Sequence, residues 1–223
     1  MTVGIVIQAR MTSTRFPGKV MAILENKPVL QRVIDQCRKV PFVDKIVCAF
    51  PADDASVPIC QLCNENKILC CSGDEHDVLA RYYHAAKMYG LDVIVRVTAD
   101  CPMLDPIVAG EVIALLKSKE FDYTSNIFPK RTYPKGYDCE AFTFETLSAA
   151  HQTAKTRSDR EHVTPWMQRA KEIRRGLVHQ KIDTSSYNFC VDYPEDIARI
   201  TSLLTTLRRE KVTLVARASK RSR

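Results

Sequence analysis

VGIVIQARMTSTRFPGK (residues 3–19) opens as a continuous apolar run and passes directly into a loop that carries Arg10, Arg15 and Lys19. The run at 3–9 lacks polar/apolar alternation, which is the pattern of a strand covered on both faces. Three further runs share it: DKIVCAF (44–50), KILCCS (67–72) and DVIVRVT (92–98). Helical periodicity fills the gaps at 28–39, 55–66 and 77–89, the last closed by Gly90 as a C-cap. Asp105-Pro106 opens another helix over 106–118, with aspartate as N-cap and proline at its first position. This βαβ rhythm predicts a three-layer α/β fold around a mostly parallel, Rossmann-like sheet with right-handed crossovers. Ligands of such sheets bind at the carboxyl ends of the strands.

The second half is less regular. Strands are expected at 122–126 and 137–144, flanking the loop IFPKRTYPKG, and again near 177–181 and 187–192. Helices are expected near 145–155 and 159–172, and a last one from Pro194 with helical spacing through Ile197, Ile200, Leu203, Leu204 and Leu207. With no internal repeat and no Gly/Ser linker, residues 1–207 read as one domain with a substrate or dimer insertion near 122–182, followed by a basic tail at 208–223.

Composition narrows the class. A chain of 223 residues, 45% hydrophobic and 26% charged, can bury a core without staples and is not disordered. It has no apolar run long enough to span a membrane, and MTVGIVIQAR is too short and lacks the basic lead-in of a signal peptide. The net charge of +7 suggests nucleic acid, yet seven basic residues against one acid lie in 208–223, so the body is nearly neutral. Nine cysteines, an odd count without a secretory signal, read as reduced thiols of a cytoplasmic protein. Cys60-x-x-Cys63 followed by Cys70-Cys71 has partial zinc spacing, but small core residues account for every position equally.

The loop after the first strand combines Arg10, Arg15 and Lys19 with Thr12, Ser13, Thr14 and Gly18. Cations and backbone N–H groups at a strand end suit a polyphosphate, although GxxxxGK[ST] is absent and a solvated basic loop would read the same way. TADCPMLDP (98–106) ends the fourth strand with Asp100, and NFCVDYPED (188–196) places Asp192 similarly before Pro194. Two carboxylates at strand ends are the oxygen-only set Mg²⁺ takes when it shares a nucleotide's phosphates. Either aspartate alone reads equally as a helix cap or turn residue.

Together ARMTSTRFPGK (9–19), SGDEHDVLARY (72–82), RVTADCPMLDP (96–106), REHVTPW (160–166) and VDYPEDI (191–197) resemble the cytidylyltransferases that make CMP-activated sugar acids, CMP-sialic acid and CMP-Kdo among them, with the spore-coat polysaccharide branch as the nearest likeness. The motifs run in order over nearly the whole chain. The resemblance implies a nucleotide-diphospho-sugar transferase type of fold, Mg²⁺ dependence, transfer of CMP from CTP with release of pyrophosphate, and a homodimer. It also implies that Arg10 and Lys19 hold the triphosphate, that Ser13 and nearby backbone groups such as Ala9 cradle it beside Arg15, and that Asp100 and Asp192 bind the metal. Arg10, Lys19 and Asp100 are the expected catalytic residues. This chain departs from the family at Thr12, where glycine is usual and a side chain crowds the approach of phosphate.

Asp74, Glu75, Asp77 and Arg81 are candidates for ribose or base contacts, while Asp77 fits equally as an N-cap paired with Arg81 four residues on. For the acceptor, Asp138 and Glu140 fall on alternate strand positions and hence on one face. Arg131 or Lys135 suits an acceptor carboxylate. Arg160, Glu161 and His162 open a helix after Ser158, where Glu161 also fits a capping box and His162 is a possible base or a structural residue. Three other activities share these features: a sugar nucleotidyltransferase using UTP or GTP, a glycosyltransferase consuming a nucleotide sugar, and a non-catalytic binding protein. Pyrophosphate release with CTP separates them.

Overall fold

Strand β1 (Val3–Gln8) lies in the interior of a seven-stranded sheet, where its side chains, apolar on both faces, are covered. The structure, a computed structural model, describes residues 1–207. On one side β1 pairs in parallel with β4 (Lys45–Pro51), which in turn carries β5 (Leu69–Gly73). On the other side it pairs in parallel with β6 (Val93–Thr98). Beyond β6 the direction reverses: β8 (Glu140–Thr143) is antiparallel to it, β7 (Tyr123–Ser125) is antiparallel to β8, and β9 (Arg175–Leu177) runs parallel to β7. The order is β5-β4-β1-β6-β8-β7-β9, so residues 122–182 add three strands to the same sheet. Strands β2 (Ile23–Leu24) and β3 (Lys27–Pro28) form a separate antiparallel pair.

Helices cover both faces. Ile5 and Ile7 of β1 pack under α1 (Val29–Cys37), α2 (Val57–Glu65) and α4 (Pro106–Lys117). Val6 faces the opposite layer of α3 (Val78–Tyr89), α5 (Phe144–Thr153) and α7 (Pro165–Arg169). Each fully buried aliphatic side chain of this kind contributes about 2 kcal/mol. Asp77 caps α3 through the N–H of Ala80, Gly90 closes it in the left-handed conformation, and Asp105 caps α4. Cys60, Cys63 and Cys70 lie together on α2's side of the sheet and Cys71 on α3's side, so the four cysteines of the zinc-like spacing do not share one site.

Three elements differ from the expectation, the first being the strand expected near 177–181, which lies at Arg175–Leu177 as β9. The helix expected over 159–172 is two short helices, α6 (Arg157–His162) and α7, separated at Val163. Pro165 lacks an N–H and so cannot continue the backbone hydrogen-bond ladder of α6. The Thr164 N–H turns back to the His162 carbonyl at 2.8 Å, a γ-turn that places Val163 at φ 71°. The cap of α6 is Thr156, with Asp159 as its reciprocal partner, rather than Ser158 with Glu161. The strand expected at 187–192 is only a bridge between Lys135 and Asn188, because its backbone groups go to different partners. Phe189 donates to the Lys135 carbonyl and Val191 to that of Asp100. Gly136, at φ 105°, permits this approach, since a Cβ there would lie 2.9 Å from the Phe189 backbone. A final helix, α8, runs from 195 to 207, and the basic tail at 208–223 lies outside the described residues. Among the described residues no helix is long and apolar enough to cross a membrane.

Candidate active site

At the carboxyl ends of β1 and β6 the chain opens a cleft. The loop after β1 is folded back by the Gly18 N–H, which donates to the Met11 carbonyl at 2.8 Å with Gly18 at φ 71°. A short 3-10 turn, Lys19–Met21, follows and carries Lys19 inward until it is largely buried. Its Nζ donates to Asp100 Oδ2 at 2.6 Å and to Asp192 Oδ1 at 3.1 Å. The motifs at 9–19, 98–106 and 188–196 therefore meet at one amine. Arg15 donates to the same Asp192 oxygen at 2.8 Å, and Lys135 to its other oxygen at 2.7 Å.

Three cations on one carboxylate dominate its titration. Burial alone would raise the Asp192 carboxyl, but hydrogen bonds from Lys135 and Lys19, and their charges, hold it down to about 2. Lys19 responds oppositely: burial would lower it, yet Asp100 and Asp192 raise it above the ordinary lysine value, so it remains an ammonium ion.

Ala9, Arg10, Ser13, Arg15, Lys19, Arg81 and Asp100 line the cleft, as do Glu161 and His162, which the Val163 turn directs there from the end of α6. Thr14 lines it too, and Gln8, Val20, Val78, Thr98 and Ala99 complete it, five residues that sequence reasoning missed. Gln8 had a signal, a polar side chain at the end of an apolar strand. Arg81 is 2% exposed and donates to the carbonyls of Asp74 and Glu75 rather than pairing with Asp77 as expected. Burial, then the charge of Arg10, lowers its pKa, and its Nε has no partner. It is a buried cation bordering the cleft, where an anion would relieve it.

Other expected residues do structural work. Asp74 accepts from the backbone N–H groups of His76 and Asp77, and Glu75 accepts from the Thr12 hydroxyl, tying the loop after β5 to the loop after β1. The side chain at the glycine position thus reaches across to β5's loop. Asp77, besides capping α3, binds Arg160, whose guanidinium also donates to the His151 carbonyl. Arg131 and Asp138 form a two-bonded pair with each other. Glu140 corrects the acceptor expectation: it is 1% exposed inside the sheet and bonded to Arg96, Tyr123 and Gln168. Asp138 lies before β8, so the two acids do not share a strand face. Lys135, considered for an acceptor carboxylate, is paired with Asp192.

A model of the family described as cytidylyltransferase matches residues 4–220. The chain belongs to the cytidylyltransferase family. A protein of uncharacterised function from Methanocaldococcus jannaschii is 35% identical over 162 residues, covering 73% of this chain and 65% of that one. The 3-deoxy-manno-octulosonate cytidylyltransferase of Geobacter sulfurreducens is 31% identical over 116 residues, covering 52% of this chain and 46% of that enzyme. The chain thus spans between about half and two thirds of the length of these curated relatives. Among solved structures, a cytidylyltransferase from Leptospira borgpetersenii superposes with a TM-score of 0.87 at 28% identity, over 92% of this chain and 87% of that one. The cytidylyltransferase fold and the mostly parallel sheet expected from the apolar runs agree.

Proposed function

We propose that the chain transfers CMP from CTP to a sugar acid and releases pyrophosphate, for a cell-surface or spore-coat polysaccharide. The observation that carries this reading is the meeting of Lys19 with Asp100 and Asp192 beside Arg10 and Arg15. The acceptor is a sialic-acid-like or Kdo-like 2-keto-3-deoxy acid, a class supported by the name of the Geobacter relative. The setting we infer is a cytoplasmic homodimer.

The residues fit Mg²⁺. Two carboxylate oxygens within 2.6 and 3.1 Å of one nitrogen converge on one small volume. One or two carboxylates plus phosphate oxygens is the set this ion takes. Among the described residues no group of three or more acidic, His or Cys side chains forms a denser cage. Asp100 and Asp192 would hold the ion, and when bound it would neutralise charge on the phosphates.

A sugar hydroxyl attacks the α-phosphorus in line, the bond to the bridging oxygen breaks, and pyrophosphate leaves with the bond's electrons. Positioning and charge stabilisation, not covalent catalysis, supply most of the acceleration in such transfers. Lys19 donates to the developing charge on the departing phosphates. Arg10 and Arg15 grip the triphosphate, with Ser13 and the surrounding loop backbone beneath it. Glu161 and His162, which line the cleft from the end of α6, face the acceptor, and His162 is the candidate to take the hydroxyl proton.

Pyrophosphate release measured with CTP and UTP across a panel of keto-deoxy sugar acids tests the proposal. Release with CTP and one of these acids, lost in Asp100→Asn with the fold intact, is expected. Release with UTP alone, or none with any pair, would overturn it.

A further inference from the structure

A row of polar side chains crosses the sheet beneath the cleft, on the face covered by α3. Gln8, Arg96 and Glu140 come from three adjacent strands, and Arg96 and Glu140 are register partners. Glu140 accepts from Arg96 Nη1 at 2.5 Å, and its second oxygen from Tyr123 at 2.5 Å and Gln168 at 3.2 Å. So held, Arg96 directs its Nε–H at Gln8 Oε1, 3.2 Å away. Arginine has donors only, so the atom of the Gln8 amide that faces it is the oxygen. The Tyr82 hydroxyl lies on the same oxygen at 3.4 Å and gives its shorter bond, 3.1 Å, to the Val6 carbonyl. The orientation of Gln8 is therefore set from below, and its NH₂ is the half left for the cleft that Gln8 lines.

We propose that Gln8 is a specificity-determining residue that donates from its fixed amide to the acceptor edge of the nucleobase and selects cytosine over uracil, a role that rests on the CTP reading above. The place fits a base. Gln8 shares its face of the sheet with Val6 and the α3 layer, next to Val78 of the cleft wall, whereas the phosphate-binding cations come from the loop after β1. A neutral amide beside an apolar side chain suits the edge of a flat, uncharged ring. Cytosine offers two neighbouring acceptors, O2 and N3; uracil has a donor at N3, which meets the amide N–H unfavourably. Arg96 and Glu140 are positioning residues, since neither lines the cleft.

Calorimetric binding of CTP and UTP to the full chain tests this, with pyrophosphate release by the unaltered protein run in parallel. The unaltered protein should prefer CTP. Gln8→Glu keeps an oxygen toward Arg96 and replaces the donor with an acceptor, so CTP affinity should fall at least tenfold and the CTP/UTP ratio should approach or pass unity, with the thermal midpoint little changed. Gln8→Met, which removes both functions, should lose the preference without gaining UTP, and it guards against a folding failure of the first variant. An unchanged ratio in either folded variant overturns the role of Gln8 while CTP turnover in the unaltered protein leaves the transferase reading standing. Absence of CTP binding and turnover in the unaltered protein overturns both.

Discussion

Lys19 and Asp192 are 173 residues apart in the chain and 3.1 Å apart in space. Their contact joins the first loop of the sheet to the segment before α8, and it holds an ammonium ion at the place where the proposed reaction puts the leaving phosphates. Lys19→Met should retain the fold, because Arg15 and Lys135 still pair Asp192. Its kcat should fall about 10²–10³-fold, the usual loss when one stabilising donor is removed. Steady-state pyrophosphate release checks this, and near-normal turnover would remove Lys19 from the chemistry.

Asp192 predicts a dependence on acid. A carboxyl held near 2 in the folded state but ordinary when unfolded stabilises the protein above pH 4, and that contribution fades as the pH falls from 4 toward 2. The side chain is 7% exposed, and the shift corresponds to about 2 kcal/mol as an upper figure. Asp192→Asn should therefore lower stability at pH 7 and converge with the unaltered protein near pH 2. Chemical denaturation at a series of pH values reads the difference directly.

The second partner of Arg96 makes a core prediction. Glu140→Gln leaves the buried Arg96 guanidinium without its countercharge, a change that costs about 3 kcal/mol in comparable sites. A loss below 1 kcal/mol in urea unfolding would mean that the charge is compensated elsewhere.

Asp77→Ala removes an N-cap of about 1 kcal/mol and the ion pair to Arg160, which is partly exposed and adds a fraction of that. Since Arg160 belongs to the helix that presents Glu161 and His162, KM for the acceptor should rise more than KM for the nucleotide. Equal changes in both would contradict that division of the cleft.

Val163→Gly separates two opposing effects. Relief of the left-handed backbone favours glycine by about 1 kcal/mol, whereas loss of a fully buried valine costs about 2 kcal/mol. Net destabilisation near 1 kcal/mol is expected in thermal unfolding, and a stabilised variant would show that the strain is larger than the packing.

How far the chain could be read in advance depended on whether the deciding interaction was local. Strands β1, β4 and β6 were legible because burial on both faces leaves an unbroken apolar run, whereas the edge strand β5, with Leu69 and Ser72 exposed, was legible only as a short apolar stretch. The caps Asp77, Gly90 and Asp105 were legible because each acts on its own neighbours. Arg10, Lys19 and Asp100 lie together because the loops after β1 and β6 of the parallel sheet share an edge, whereas Asp192 reaches them from a segment that is not a strand. Glu140 was misjudged, since alternation shows which face a residue takes but not that Arg96 lies opposite. The break at Val163 was missed because the periodicity at 159–172 outweighed Pro165. Lys135 reaches Asp192 only through the close packing of Gly136 on Phe189, which no local pattern records.

Asp100 and Asp192 already occupy the cations that a phosphate would seek. Being tethered, they act as a built-in competitor at high effective concentration. A lone phosphate or a stray acidic side chain must displace them for the sake of one or two bonds, and gains little. A triphosphate that engages Arg10, Arg15 and Lys19 together makes the exchange worthwhile. On the proposed reading, the two aspartates that lower the repulsion among the cleft's cations also set a threshold of valency, which favours a triphosphate over small single anions.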